Sequence, residues 1–268
     1  MISTEFIEEK KLKRNYLNIS HYPYALMWAL GTVVVCLFMS QIYWAHPLGE
    51  YLAASSQKVF QEKEYWRLFT SSFIHGDMAH FLSNSLMLSL MGYFVYKHFG
   101  KIAYPLLGFV AGIFINLIVI STYPPQVTLV GASGVVHYLW GFWLVLYLLI
   151  QRHIGVNRRL MKITAVGVFI LIPTEFRPQV SYLAHGVGLV LGIFCGLFYF
   201  YFNKRKIRSF EKWEVEYTEV PLFGEWQVDQ AAGEYDSFSE VPSQVSSNSN
   251  PGDDFKRTDD KGNVIYLQ

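Results

Sequence analysis

The sequence predicts an all-α membrane protein built as a six-transmembrane-helix bundle. Apolar stretches of spanning length recur at 24–45, 78–98, 102–122, 129–151, 159–175 and 181–202. Each is close to the ~20 residues needed to cross ~30 Å of hydrocarbon. Basic residues collect at alternate turns between these stretches, and the polar side chains inside them fall at one depth.

Composition fits a membrane body joined to a soluble tail. Of 268 residues, 52% are hydrophobic and 16% charged, with mean hydropathy +0.22. That value is high for a soluble domain and low for a chain made wholly of spans. Residues 209–268 hold 13 Asp+Glu against 4 Lys+Arg, while residues 1–208 hold 8 against 18. The expected organisation is a cytoplasmic segment at 1–23, a membrane domain at 24–202 and an acidic, largely disordered cytoplasmic tail at 203–268. Within the tail, Trp213, Tyr217, Phe223 and Trp226 alternate with acids, as in a short docking motif or a helix on the membrane face.

The first apolar run is not followed by a small-residue cleavage site, so it reads as a retained span rather than a signal peptide. Cys36 and Cys195 lie within apolar runs and read as small buried side chains, not as a disulfide framework or zinc site.

Lys and Arg set the orientation. They precede span one (Lys10, Lys11, Lys13, Arg14), flank the turn after span two (Lys97, Lys101), separate spans four and five (Arg152, Arg158, Arg159, Lys162) and follow span six (Lys204, Arg205, Lys206, Arg208). The opposite loops are poor in basic residues. The positive-inside rule then makes both termini cytoplasmic. Trp28, Tyr43 and Trp44 suit the interfacial belts.

Spans two, four and six all run inward from the outer face in this orientation. His80 and Asn84 lie near the start of span two, Ser133 at the start of span four and His185 about a turn into span six. At 1.5 Å per residue all four fall within roughly 10 Å of the outer boundary. Polar groups near hydrocarbon are costly, so a cluster at one depth points to a site.

The residue types there are those of nucleophilic catalysis. Ser133, in Gly131-Ala132-Ser133-Gly134, is a candidate nucleophile that needs a base. His185 is the candidate base, because imidazole titrates near neutral pH. Backbone N–H groups at the helix start can stabilise an oxyanion, and the glycines let a substrate approach. His80 and Asn84 share a helix face, and both can donate hydrogen bonds. Gly188, Gly192 and Gly196, with Gly134 and Gly141, offer small faces through which spans four and six can meet. Each feature alone has a plainer reading, as packing or interhelical hydrogen bonding; the joint pattern is what argues for chemistry.

Four motifs in this order and frame make the chain resemble the rhomboid family of intramembrane serine proteases. They are Gly131-Ala132-Ser133-Gly134, Ala184-His185-Gly186-Val187-Gly188 with Gly192, His80-x-x-x-Asn84, and Trp66-Arg67 in the first outer loop. The resemblance spans about residues 60–202. It implies a Ser133–His185 dyad and an oxyanion hole from His80, Asn84 and the Ser133 N–H, in a polar cavity open to the extracytoplasmic side. It further implies a membrane-embedded loop anchored by Trp66 and Arg67, and a gate at span five and Thr174–Val180. Substrates would be transmembrane proteins cut in or near a span, where the helix must first unwind.

Two positions depart from the family pattern. Where many relatives carry a tyrosine four residues after the serine, this chain has His137. An imidazole can still pack on His185, but it can take a proton, which should sharpen loss of activity in acid. Tyr96 stands where a glutamate often precedes Lys-x-x-Gly, here Lys97 and Gly100.

The runner-up is a catalytically silent relative that binds client transmembrane helices; retention of Ser133, His185, His80 and Asn84 argues against it. A transporter would show repeats or polarity extending inward. No cofactor is implied, since His75, Asp77 and His80 lack the partners of a zinc site. The expected partners are the lipid bilayer and membrane-protein substrates, not nucleic acid, and the expected location is a bacterial inner membrane.

Overall fold

The computed structural model describes residues 4–171, 181–221, 256–258 and 264–266. Seven α-helices occur among them: α1 (Ala25–Ala45), α2 (Arg67–Thr70), α3 (Met78–Lys101), α4 (Gly108–Thr122), α5 (Ser133–Ile150), α6 (Val156–Leu171) and α7 (Tyr182–Arg208).

Among the described residues a helix overlaps each of the six apolar stretches, with shifted ends. By length and apolarity, four stretches of the described residues suffice to cross a membrane: Ala25–Ala45, Met78–Thr122, Ser133–Ile150 and Tyr182–Arg208. The second is long enough to hold two helices. Helix α6 has 16 residues as described. The end of the expected fifth span and the Thr174–Val180 gate lie outside the described residues.

Helices α1 and α7 are small inside and large outside. The buried residues of α1 are Ala25, Ala29, Thr32, Cys36 and Ser40, whereas Leu26, Met27, Leu30, Val34 and Phe38 face outward. Those of α7 are Ala184, Gly188, Gly192, Gly196 and Ile207, with Phe194, Phe198, Tyr201 and Phe202 outside. Lipid solvates large apolar side chains as well as a core does, so helix contact goes to residues that allow close backbone approach. Helix α5 is the centre of the bundle, buried along most of its length.

The α5–α7 pair is the most extensive helix contact. A Cβ on Gly188 would collide with the Gly134 carbonyl oxygen, one on Gly192 with that of Tyr138, and one on Gly141 with that of Leu189. Glycines on both helices therefore set backbone against backbone.

Helix α3 starts at Asp77, whose Oδ1 accepts from the His80 N–H at 2.8 Å, a regular N-cap. It kinks near its end at Gly100, which has φ +81° and presses on the Tyr22 ring, 2.7 Å from where a Cβ would sit. Glycine alone takes this left-handed position at no steric cost. A wide π-type turn at Ile102–Leu107 then leads into α4. Tyr96, in place of the usual acid, stacks with Trp28 and meets Tyr22 edge-on.

Short strands pin the loops. Strand β2 (Ala54–Ser55) pairs antiparallel with β3 (Thr128–Leu129) in register Ala54↔Leu129, tying the long first loop to the approach to α5. At the opposite end β1 (Thr4–Arg14) pairs with β4 (Lys212–Pro221). Lys11 and Lys13 both reach Glu216, at 2.6 and 2.8 Å. The first part of the aromatic-acidic segment at 211–226 is therefore a strand, where a solvated tail was expected, with a docking motif or a membrane-face helix as the alternatives. Residues 16–22 plug the same end: Tyr16 Oη donates to the His98 carbonyl at 2.9 Å, and the N–H groups of His21 and Tyr22 donate to the Lys97 carbonyl. In a separate compact unit, β5 (Lys256–Thr258) pairs antiparallel with β6 (Val264–Tyr266).

Candidate functional site

Ser133 is the first residue of α5, following Ala132 as N-cap. The first N–H groups of a helix have no intrahelical acceptor and carry the positive end of its dipole. The serine turn is thus a place where negative charge is favoured. Gly131 precedes it with φ +117°, and a Cβ there would lie 2.9 Å from Cε1 of His80. This glycine is required twice, by its backbone and by the imidazole packed on it.

His185 lies in the first turn of α7. Ser181 caps that helix, its Oγ accepting from the Ala184 N–H at 3.3 Å while receiving the Tyr123 hydroxyl at 2.7 Å. The His185 ring stacks on His137 with centroids 3.9 Å apart and planes 10° apart. His137 Nδ1 lies 2.8 Å from the Ser133 carbonyl oxygen. A direct hydrogen bond between Ser133 and His185 is absent among the described residues.

His80 and Asn84 occupy one face of α3. Asn84 is buried, and its Nδ2 donates to the His80 carbonyl at 3.0 Å. That uses one of its two amide hydrogens and leaves the second. Asp77, considered with His75 and His80 as a metal set, is engaged as the cap of α3.

Several supporting groups have no motif in the sequence. His75 is fully buried beside His80, with ring centroids 5.1 Å apart. Its Nε2 accepts from the Ala132 N–H at 3.5 Å, its Nδ1 lies 3.3 Å from Ser40 Oγ, and its carbonyl receives the Trp44 indole at 2.7 Å. Burial pulls its pKa down to about 4. The Gly131 N–H donates to the Ser71 carbonyl at 2.9 Å. Asn116 of α4 spreads its amide over the Leu68 carbonyl and the hydroxyls of Ser71 and Ser72, at 2.9–3.1 Å. The backbone leading to Ser133 is thus held from behind by the first loop.

That loop is held in turn by Arg67, which is 2% exposed. Nε donates to Glu64 at 2.5 Å, and Nη1 to the carbonyls of Glu50 and Ala53 at 2.6 and 2.9 Å. One planar fork closes three points of the loop. Trp66 is more exposed and makes one bond, from Nε1 to the Tyr51 carbonyl at 3.3 Å.

A family model described as "Rhomboid domain" matches residues 62–202, just over half of the chain. YdcA of Bacillus subtilis (strain 168), provisionally named a rhomboid protease, is 30% identical over 129 residues, covering 48% of this chain and 64% of the relative. Two Arabidopsis thaliana proteins are also similar. RHOMBOID-like protein 5 is 27% identical over 147 residues, 54% of this chain and 47% of the relative. RHOMBOID-like protein 1 is 30% identical over 154 residues, 55% and 39% respectively. The chain spans less than two thirds of the length of each relative. The matched segment runs from ahead of Trp66 to beyond Gly196 and contains every glycine of the α5–α7 contact: the chain belongs to the rhomboid family of multi-pass membrane proteins.

Proposed function

We propose that this protein is an intramembrane serine endopeptidase that hydrolyses peptide bonds in or near the transmembrane segments of other membrane proteins. The observation that carries this is the meeting of α5 and α7. Gly188 packs on the Gly134 carbonyl, and the His185 ring lies directly on His137, which contacts the Ser133 carbonyl. The candidate base is therefore one ring away from the turn that bears the candidate nucleophile.

In this reading Ser133 Oγ attacks the scissile carbonyl as His185 takes its proton. His185 then returns that proton to the leaving amine, and water releases the acyl group by the reverse path. The Ser133 N–H, His80 and Asn84 Nδ2 stabilise the oxyanion. Bonds between nucleophile and base are often loose before substrate binds, so the absent Ser133–His185 bond is compatible with the mechanism. Stacking against His137 restricts the His185 ring without a carboxylate.

We assign residues 24–202 to six crossings of a bacterial inner membrane, with 1–23 and 203–268 on the cytoplasmic side. The charge bias and the six helix positions support this.

The test is labelling of detergent-solubilised protein with a fluorophosphonate probe, which needs no known substrate. Labelling of wild type but not of Ser133→Ala or His185→Ala supports the dyad. No labelling of folded wild type, with a control serine protease reacting, overturns it in favour of the silent client-binding reading.

A further inference from the structure

Away from the candidate site, an apolar groove of about 700 Å³ lies between α1, the α2 segment and the start of α4. Met27, Trp28, Gly31 and Val35 form one wall; Phe69 and Phe73 close the far end; Ile102, Leu106, Phe109 and Val110 form the other wall. Thr32 is the one uncharged polar side chain among the lining residues, and its hydroxyl is spent on the Trp28 carbonyl at 2.8 Å. Nothing on these walls calls for water.

The mouth is different. Lys101 lines it, exposed and without an ion-pair partner among the described residues. It lies at the end of the bundle where the Lys97 carbonyl receives the chain entering α1. Trp28 stands beside it, half exposed. From Met27 to Val35 the helix rises about 12 Å, close to the ~15 Å of hydrocarbon in one leaflet.

We propose that this groove binds one anionic phospholipid, with an acyl chain along α1 and the headgroup phosphate on Lys101. The apolar wall matches a chain, and the free ammonium at water level matches a phosphate. The site also touches the catalytic support. Phe69 and Phe73 flank Ser71, whose carbonyl holds the Gly131 N–H. A filled groove therefore backs the segment that positions the serine turn. The inference rests on the membrane reading of the chain and not on proteolysis.

The experiment uses full-length protein in phosphatidylcholine bilayers, with dibrominated phosphatidylglycerol or dibrominated phosphatidylcholine as quencher. Trp28 emission is read as the difference between wild type and Trp28→Phe. The expected result is about a five-fold preference of the Trp28 site for phosphatidylglycerol, the effect of one lysine near an anionic headgroup. Lys101→Gln should remove the preference. Gly31→Leu, at a position with open space around it, should fill the groove and reduce quenching by both lipids. Equal quenching by the two lipids in wild type would reduce the groove to ordinary bilayer contact and overturn the proposal. A preference surviving in Lys101→Gln would overturn the assigned headgroup site. Absence of Trp28 quenching in folded protein would mean that another occupant holds the groove.

Discussion

Gly192 offers the sharpest test of how α7 is held against α5. A Cβ on this residue would lie 2.9 Å from the Phe142 nitrogen and 2.9 Å from the Tyr138 carbonyl carbon, and closer still to the Tyr138 oxygen. Ordinary contact begins at about 3.5 Å, so relieving the contact with the Tyr138 oxygen requires the helices to separate by more than roughly 1 Å. All three atoms are backbone, and none can rotate away. Overpacking of this kind costs about 1–3 kcal/mol. For a domain of this size that is a fall in Tm of roughly 2–12 °C. The separation would also carry His185 away from Ser133, and a displacement approaching 1 Å at a reacting centre can cost about 10²-fold in rate. Gly192→Ala should therefore lower both the melting temperature in detergent and the rate of fluorophosphonate labelling. The matched control is Gly186→Ala on the same helix, where a Cβ meets nothing within 4 Å. There the substitution should be neutral or stabilise by up to ~1 kcal/mol, because alanine is the better helix former. Indistinguishable melting temperatures and rates for the two variants would refute the claim that backbone contact at Gly192 organises the site.

Three further outcomes follow from other parts of the molecule. Arg67→Ala should destabilise by about 3–5 kcal/mol in thermal unfolding, because it strands a half-buried Glu64 carboxylate and two carbonyls; Arg67→Lys should recover only part, having lost the fork. His75 is held neutral in the fold, with its pKa down at about 4 against about 6.5 when unfolded. Below pH 6.5 the unfolded chain takes a proton that the folded one refuses, so stability should fall as pH drops from about 6.5 to 4, by up to ~3 kcal/mol. His75→Gln should flatten that part of the Tm–pH curve. His137 and His185 stack as two rings that can each take a proton, and a proton on one repels a proton on the other, so His137→Tyr should change the acid limb of the labelling rate against pH. An unchanged profile would remove His137 from the acid response.

Much of the helical frame was legible because spans and glycines leave local signatures. The four-residue spacing of Gly188, Gly192 and Gly196 announces a close helix contact, and the structure supplies its partners in Gly134, Tyr138 and Phe142. A ring at 137 packed on His185 was readable only through the family resemblance, in which a tyrosine often stands four residues after the serine. The support behind the serine turn was not legible. His75, Asn116 and Ser181 act on backbone N–H and carbonyl groups, which every residue carries, so sequence does not name the partner. The strand formed by Lys212–Pro221 was hidden too, because its alternating acids and apolar residues read equally well as a tail until β1 is placed beside it.

The sequence by itself determined the apolar stretches, the charge bias between turns and the order of the Ser, His and Asn motifs, because hydrocarbon thickness and helix periodicity act on local composition. Only the tertiary structure decided which backbone groups clamp the loop before Ser133, how Arg67 closes the first loop, and that His185 reaches the serine turn through the His137 ring. Those outcomes depend on hydrogen bonds to carbonyls and on sub-ångström helix separation, quantities that exist only once distant segments are packed together.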